Sequence, residues 1–346
     1  MIDKIINYFP ENVNNKKRLM KADIFSSRER TIIVQERIFK FMTELKKGLL
    51  EFKEIELEDV EAFTKIFESS GHMGSDASFA TMYLWGKRYG IKAAVKDGFV
   101  IKIFGEENDK KYSYPCGKGD IKSVIETIKQ DSIERYGKFI GLAMLTDENK
   151  EELEQLYPGE FTYEEMDGSA DYIYLRTNLA DLPGKKYHAK RNHISKFKRL
   201  YPEYRFEKLG KETFDDALTV AAKWCAVNGC TGSGGESLGA EYCAINRAFY
   251  NFDTLGMFGG VLYVNDEPVA MTAASRINDK VCDVNFEKAL NFDGAYAMIN
   301  NCFAQTYTDY ELLNREEDMG IEGLRKAKLS YYPERVLTRY AAIPKE

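Results

Sequence analysis

Residues 311–332 read Glu-Leu-Leu-Asn-Arg-Glu-Glu-Asp-Met-Gly-Ile-Glu-Gly-Leu-Arg-Lys-Ala-Lys-Leu-Ser-Tyr-Tyr, and the elements on either side of them decide the fold class. Tyr310, Leu312 and Leu313 make a strand-like approach. Asn314, Arg315, Glu316, Glu317 and Asp318 then crowd polar groups where that strand would emerge. Open α/β sheets bind ligands outside the carboxyl ends of their strands. Gly320 and Gly323 permit a tight turn, and a short helix from Leu324 sets Arg325 and Lys328, three residues apart, on one face. Acids before the turn and cations after it can then meet across one cleft. Structural ion-pair networks also produce such clusters, so spacing alone leaves a chemical cleft and a salt-bridged strand edge both open.

The chain has 346 residues, more than one hydrophobic core usually organises, so two domains or one repeated fold is expected. A hydrophobic share of 44% with 13% aromatics excludes disorder as the bulk state. The six cysteines form no C-x-x-C pair and the three histidines offer no zinc spacing, so no metal site is expected and the thiols read as reduced. No apolar run approaches the roughly 20 residues of a spanning helix, and the N-terminus lacks a signal peptide's apolar core. A cytoplasmic location is the expectation.

Charge is uneven. Residues 185–208 carry nine basic residues against two acids, a local +7 within a chain of net −6, which leaves −13 elsewhere. One basic face on an acidic protein points to a specific phosphate-bearing partner and argues against nonspecific nucleic-acid binding by the whole chain. If 185–201 is helical, 100° per residue turns Tyr187, Ile194, Phe197 and Tyr201 inward and Lys185, Lys196 and Arg199 outward. Lys190, Arg191 and Lys198 fall within about 60° of Tyr187. They either snorkel to solvent or point into a cleft and hold phosphate, as does the neighbouring Lys186. His188 and His193, five apart, do not share a face.

Residues 1–50 read as an N-terminal extension, helical around Ile32 to Leu50 or partly disordered, and Met20 or Met42 is an alternative start. From Phe52 the order becomes legible: a strand at 52–55, helices at 60–67 and 79–85, a hairpin of 91–95 and 99–104 about Asp97-Gly98, a strand at 112–116 and a helix from Ile121. The second half repeats it. A strand at 206–209 precedes a helix opened by a Thr213/Asp216 capping box. A Gly-rich loop (231–239), another helix and strands at 261–264, 269–275 and 281–286 follow. Asp293 then reads as the N-cap of a helix with Ala295, Met298, Ile299, Cys302 and Phe303 inward. Strand, two helices, hairpin, strand, helix, strand is the element order of the GNAT acyltransferase fold. The fold class is therefore α+β with mixed sheets, as two tandem GNAT-like domains, 51–178 and 179–346. The second carries the basic helix 184–201 and the polar cluster; the first is expected to be mainly structural.

Three stretches also resemble a known family. They are Asn314-Arg315-Glu316-Glu317-Asp318-Met319-Gly320-Ile321 with Gly323 to Lys328 and Tyr331-Tyr332-Pro333; Leu182-Pro183-Gly184-Lys185-Lys186-Tyr187-His188-Ala189-Lys190-Arg191-Asn192-His193; and Phe286-Glu287-Lys288-Ala289. They are similar to the C-terminal domain of phosphatidylglycerol lysyltransferase (lysylphosphatidylglycerol synthase), itself a tandem GNAT-like fold related to the Fem-type enzymes that take amino acids from aminoacyl-tRNA. The resemblance covers 52–342. It implies an aminoacyltransferase with aminoacyl-tRNA as donor and phosphatidylglycerol, at an anionic membrane surface, or a soluble molecule as acceptor. On that reading Glu287, Glu316 and Asp318 are the candidate acids and bases. Asn314, Arg315, Arg325 and Lys328 line the donor cleft, and Lys186, Lys190, Arg191 and Lys198 bind phosphates, with Arg191 the foremost anion contact. A lysyl donor would call for an acidic pocket, which Glu316, Glu317 and Asp318 supply. In coenzyme A-dependent GNAT enzymes a Q/R-x-x-G-x-G/A loop holds the pyrophosphate. Here Asn291-Phe292-Asp293-Gly294-Ala295-Tyr296 lacks the cation and places Asp293 where it would repel a diphosphate, so coenzyme A is the disfavoured donor. That altered loop also leaves open a non-catalytic module that binds tRNA or an anionic metabolite, and an acetyl-CoA-dependent N-acetyltransferase is the third reading.

Overall fold

The computed structural model describes residues 49–106, 109–229 and 236–345, without the side chains of 236–238, and within this span residues 49–345 pack as one compact unit. The extension 1–48, the alternative starts and much of the Gly-rich loop lie outside the described residues. The fold is α+β with two mixed seven-stranded sheets.

The first sheet is laid down by β1 (Lys92–Lys96) and β2 (Phe99–Phe104), β3 (Lys111–Ser113), β4 (Cys116–Gly117), β5 (Leu142–Leu145) and β6 (Phe161–Glu165). Asp97 (φ 49) and Gly98 (φ 83) make the left-handed turn that the Asp-Gly pair predicts. The strand expected at 112–116 divides into β3 and β4, because Pro115 between them has no N–H to donate to a ladder. The strand expected at 52–55 is reduced to one bridge, Lys53 to Ala93. Helices α1 (Val60–Ser70), α2 (Phe79–Tyr89), α3 (Ile121–Tyr136) and α4 (Asp147–Leu156) complete this half.

Next come β7 (Asp171–Leu175), α5 (Arg176–Asp181), α6 (His188–Leu200), β8 (Tyr204–Lys208), α7 (Phe214–Asn228) and α8 (Glu236–Tyr250). β9 (Phe258–Val264), β10 (Glu267–Arg276), β11 (Val281–Ala289), α9 (Ala295–Thr306), β12 (Leu312–Asn314), α10 (Glu322–Leu329), β13 (Arg335–Leu337) and β14 (Tyr340–Pro344) follow. The second sheet runs β13-β7-β12-β11-β10-β9-β8, and the first β1-β2-β3-β5-β14-β6 with β4 beside β2. Each contains one parallel pair, β3 with β5 and β11 with β12, after an antiparallel meander. That is the GNAT strand order, twice.

A division at residue 178 does not describe how the sheets assemble. β7 precedes it but pairs with β12 and β13, and β14, from the C-terminus, inserts between β5 and β6 of the first sheet. A buried charged clamp fastens the exchange. Arg339, fully buried beside β14, donates to Asp76 Oδ1 (2.7 Å) and to Asp171 Oδ2 on β7 (2.9 Å), and Lys102 on β2 reaches Asp76 Oδ2 (2.9 Å). Buried charges survive only when paired in this way.

Two expected caps are corrected. Thr213 is the N-cap residue of α7 but forms no capping box: its hydroxyl accepts from Gly210 N, while Asp216 accepts from the Tyr263 hydroxyl (2.7 Å). The N-cap of α9 is Gly294, not Asp293, whose carboxylate is paired with Lys196. Of the cysteines, Cys116, Cys282 and Cys302 are buried free thiols and Cys243 an exposed one, whereas Cys225 is disulfide-bonded, against the all-reduced expectation. No described helix is long and apolar enough to cross a membrane.

Candidate functional site

The parallel pair β11 and β12 holds register only from Val281/Leu312 to Asp283/Asn314; beyond that β11 runs on to Ala289 while the chain leaves β12 as a loop. The strands therefore part at Asn314, and the polar residues 314–317 line the opening. Three interactions shape that loop. Asn314, fully buried, donates to Met73 O (2.9 Å) and accepts from Glu316 N (2.7 Å). Lys328 on α10 braces it from behind, its ammonium donating to Arg315 O (2.7 Å), Glu316 O (2.9 Å) and Glu317 O. Burial lowers the Lys328 pKa, and the Glu316 and Glu317 carboxylates oppose that shift.

β11 then sends its side chains to both faces of the sheet, helped by a register shift opposite Ala273/Ser275. On the α9 face Glu287 is the centre. Its Oε1 accepts from Arg315 Nη2 (2.8 Å) across the opening and its Oε2 from Asn300 Nδ2 on α9 (3.2 Å). Thr272 lies directly opposite it on β10. Three buried polar atoms around this carboxylate have no partner: Arg315 Nη1, Asn300 Oδ1 and Thr272 Oγ1. Unpaired buried polar atoms cost stability and mark places where water or a ligand completes the bonding. Lys190 closes the same space from α6, its ammonium 3.7 Å from the Tyr331 ring centre, while the Arg315 guanidinium lies 5.1 Å from that ring. Burial, then repulsion from Arg315, brings the Lys190 pKa down to about 8. Two cations thus share the single carboxylate of Glu287.

On the α2 face lies an acidic recess. Asp283 Oδ2 accepts from the Thr81 hydroxyl (2.7 Å) and from Asn285 Nδ2 (3.1 Å), and Asn285 Nδ2 also reaches Thr81 Oγ1 (2.8 Å) and Glu316 Oε1 (3.5 Å). Asp283 Oδ1 and Asn285 Oδ1 are buried without a partner. Burial and then mutual repulsion push the Glu316 pKa well above the ordinary carboxylate range, and burial raises Asp283 likewise. Two unused acceptors beside two strained acids favour a donor-rich, positively charged group.

The remaining predicted residues lie apart from this centre. Asp318 accepts from Arg325 Nε (2.7 Å), the Tyr172 hydroxyl (2.5 Å) and Gly320 N (2.8 Å), bonds that hold its carboxyl well below the usual range. Arg325 also reaches Asp167. This pair closes the turn and ties it to Tyr172 and Asp167. Arg191 donates through its Nη1 to Leu182 O (2.5 Å) and Gly184 O (2.7 Å), bonds that secure the bend between α5 and α6. Lys186 and Lys198 are exposed, near Tyr332 and Tyr204 respectively. Sequence reasoning placed Glu287, Arg315, Glu316 and Lys190 at the cleft and missed Thr81, Thr272, Asp283, Asn285, Asn300 and Tyr331. Thr81 was out of its reach because it comes from the first half, 202 residues from Asp283.

The altered Asn291-to-Tyr296 loop is filled by the protein itself. A Cβ at Gly294 (φ +85) would stand 2.6 Å from His193 O of α6. The Tyr201 hydroxyl accepts from Asp293 N (3.3 Å), and the Phe292 and Tyr201 rings lie 5.2 Å apart. Helix α6 therefore sits where a diphosphate would approach.

The family model described as phosphatidylglycerol lysyltransferase, C-terminal, matches residues 67–343. The chain belongs to that family. It is also similar to a conserved protein of unknown function from Bacteroides thetaiotaomicron, at 39% identity over 86% of this chain and 100% of that one, with a TM-score of 0.80. L-PGS from Bacillus licheniformis shares the fold at 15% identity over 85% of this chain and 93% of that one, with a TM-score of 0.60. A curated relative, an uncharacterized protein of Mycoplasmoides gallisepticum, is 26% identical over 178 residues, 50% of this chain and 56% of that protein, so the match spans about half of each.

Proposed function

We propose that this chain is an aminoacyltransferase that moves an aminoacyl group from aminoacyl-tRNA to an acceptor hydroxyl, of phosphatidylglycerol or of a soluble molecule. The observation that carries the reading is the ring of unpartnered buried atoms, Arg315 Nη1, Asn300 Oδ1 and Thr272 Oγ1, around Glu287 where β11 and β12 part. An aminoacyl ester is already activated, so the reaction needs positioning, a proton acceptor and a donor to the carbonyl oxygen. One of the two N–H bonds of Arg315 Nη1 supplies the donor as negative charge develops on that oxygen. Glu287 takes the proton from the acceptor hydroxyl as the new ester bond forms, and returns it to the ribose oxygen as the old carbon–oxygen bond breaks. Lys190, unmatched by a carboxylate of its own, suits the neighbouring phosphate.

The recess of Asp283, Asn285 and Glu316 supports a cationic, lysyl-type donor, since an ammonium supplies three donors to acceptors that now lack them. Occlusion of the α9 N-terminal loop by α6 weighs against coenzyme A as the donor. The test supplies the full chain with a pool of labelled aminoacyl-tRNAs, anionic vesicles and a small-molecule extract, and counts label in the organic and aqueous phases. Label in the organic phase is expected for a lipid acceptor, and label in a new aqueous product for a soluble one. Unaccelerated loss of label from tRNA would refute the reading.

A further inference from the structure

We propose that Tyr296 and Asn300, one turn apart on α9, form a seat for a nucleoside, with the base stacked on the Tyr296 ring and a sugar hydroxyl between Asn300 Oδ1 and Arg315 Nη1. The inference deepens the aminoacyl-tRNA reading and relies on it for the source of the nucleoside.

Tyr296 is unusual for an aromatic residue beside a polar centre: the residue is 45% exposed while its hydroxyl is hydrogen-bonded. That oxygen accepts from Trp224 Nε1 (2.9 Å), which ties the ring to α7. The Trp224 face is already taken, by the Lys288 ammonium at 3.9 Å, which Glu241 holds at 2.7 Å. Tyr296 is therefore the aromatic of this pair left free to stack, and because it is held before any ligand arrives, stacking costs little side-chain entropy.

The polar half of the seat lies one turn along the same helix face. Asn300, 2% exposed, donates to Glu287 and leaves Oδ1 unused; Arg315 donates to the other oxygen of Glu287 and leaves Nη1 unused. An acceptor and a donor, both unpaired and both anchored on one carboxylate, match a hydroxyl, which donates and accepts at once. An aromatic face, a hydroxyl site and the Lys190 cation, which lies over the same Tyr331 ring as Arg315, would supply the contacts that the base, sugar and phosphate of a nucleotide take. The 3′ end of an RNA and a free nucleotide both offer that chemistry.

The test measures binding, not turnover, so it stands apart from the transfer assay. The full chain is titrated with a labelled RNA hairpin ending in CCA, with the same hairpin lacking its terminal adenosine, and with AMP as competitor. Loss of the adenosine is expected to weaken wild-type binding on the order of ten-fold or more, the scale of one base–aromatic stack. Tyr296→Leu is expected to erase that difference and leave the shortened hairpin's affinity unchanged, whereas Tyr296→Phe, which keeps the ring, retains it. AMP binding that depends on Tyr296, with hairpins that do not differ, keeps the seat but gives it to a free nucleotide and withdraws the RNA source. Equal hairpin binding without AMP competition, or discrimination that survives Tyr296→Leu, overturns the proposal.

Discussion

Removal of both partners of the Glu287–Arg315 pair should destabilise the protein by clearly less than the sum of the two single removals. The pair bridges the parted strands at 2.8 Å, with side-chain exposures of 10% and 15%. At an effective dielectric of about 20 the attraction at that separation is roughly 6 kcal/mol, much of it offset by the cost of taking two charges out of water. Loss of one partner strands the other as an uncompensated buried charge, at a cost of about 3–5 kcal/mol. For Arg315 the penalty lies at the upper end, since Nη1 is already without a partner. Glu287→Leu and Arg315→Met should therefore each lower stability by about 3 kcal/mol or more, while the double variant should lose less than the sum by at least about 1.5 kcal/mol. Urea unfolding of the four proteins, with equal slopes required for the comparison, measures the cycle. Additive losses, within about 0.5 kcal/mol, would refute the pair as the link across the opening.

Thr81→Val should destabilise by about 1–3 kcal/mol, because it removes the hydroxyl that donates to Asp283 and accepts from Asn285; it should also weaken binding of a primary amine such as lysine amide, and unchanged calorimetric affinity would remove the first half from the site. Burial raises the Glu316 pKa in the folded state, so its contribution is complete below the ordinary glutamate pKa of about 4.3 and declines as pH rises through its raised folded value. Melting temperature should accordingly fall more steeply with rising pH in wild type than in Glu316→Gln, and parallel curves would contradict the assignment. Lys190 loses its proton at about 8 in the folded protein, so inorganic phosphate binding should decline as pH passes through that value in wild type and persist to higher pH in Lys190→Arg. The same lowered pKa means folding stability rises between about pH 8 and the ordinary lysine value near 10.4; identical phosphate profiles for the two proteins would exclude Lys190 from the anion site.

Period and turn chemistry made most elements legible. The Asp97-Gly98 hairpin, the α1, α3 and α9 faces and the inward Tyr187, Ile194 and Phe197 of α6 all follow from spacing, since a residue's face is fixed by 3.6 or 2 residues per repeat whatever the partner. Caps were less secure. Asp216 and Asp293 have the right chemistry, but each found a competing partner from a distant segment, Asp293 in Lys196 and Asp216 in Tyr263.

Charge alone could not show which cations face the opening. Arg191 and Lys190 are adjacent and both near the inward face of α6, yet Arg191 turns to the carbonyls of Leu182 and Gly184 while Lys190 reaches Tyr331. Those choices depend on bends and rings supplied by other segments. Likewise Asp318 has the same character as Glu316 in the sequence, but the nearby Arg325 and Tyr172 engage it and leave Glu316 to the recess.

By itself the sequence determined that two α+β halves of GNAT order would form, and that polar groups would crowd at a strand end over 314–318, because both are local: element period, turn residues, and a run of polar residues. Only the tertiary structure decided that the halves trade β7 and β14, that Thr81 of the first half completes the recess, and that α6 fills the loop where a diphosphate would sit. These depend on contacts between segments up to 263 residues apart, such as Arg339 with Asp76, and no periodicity within a segment encodes which distant partner it will meet.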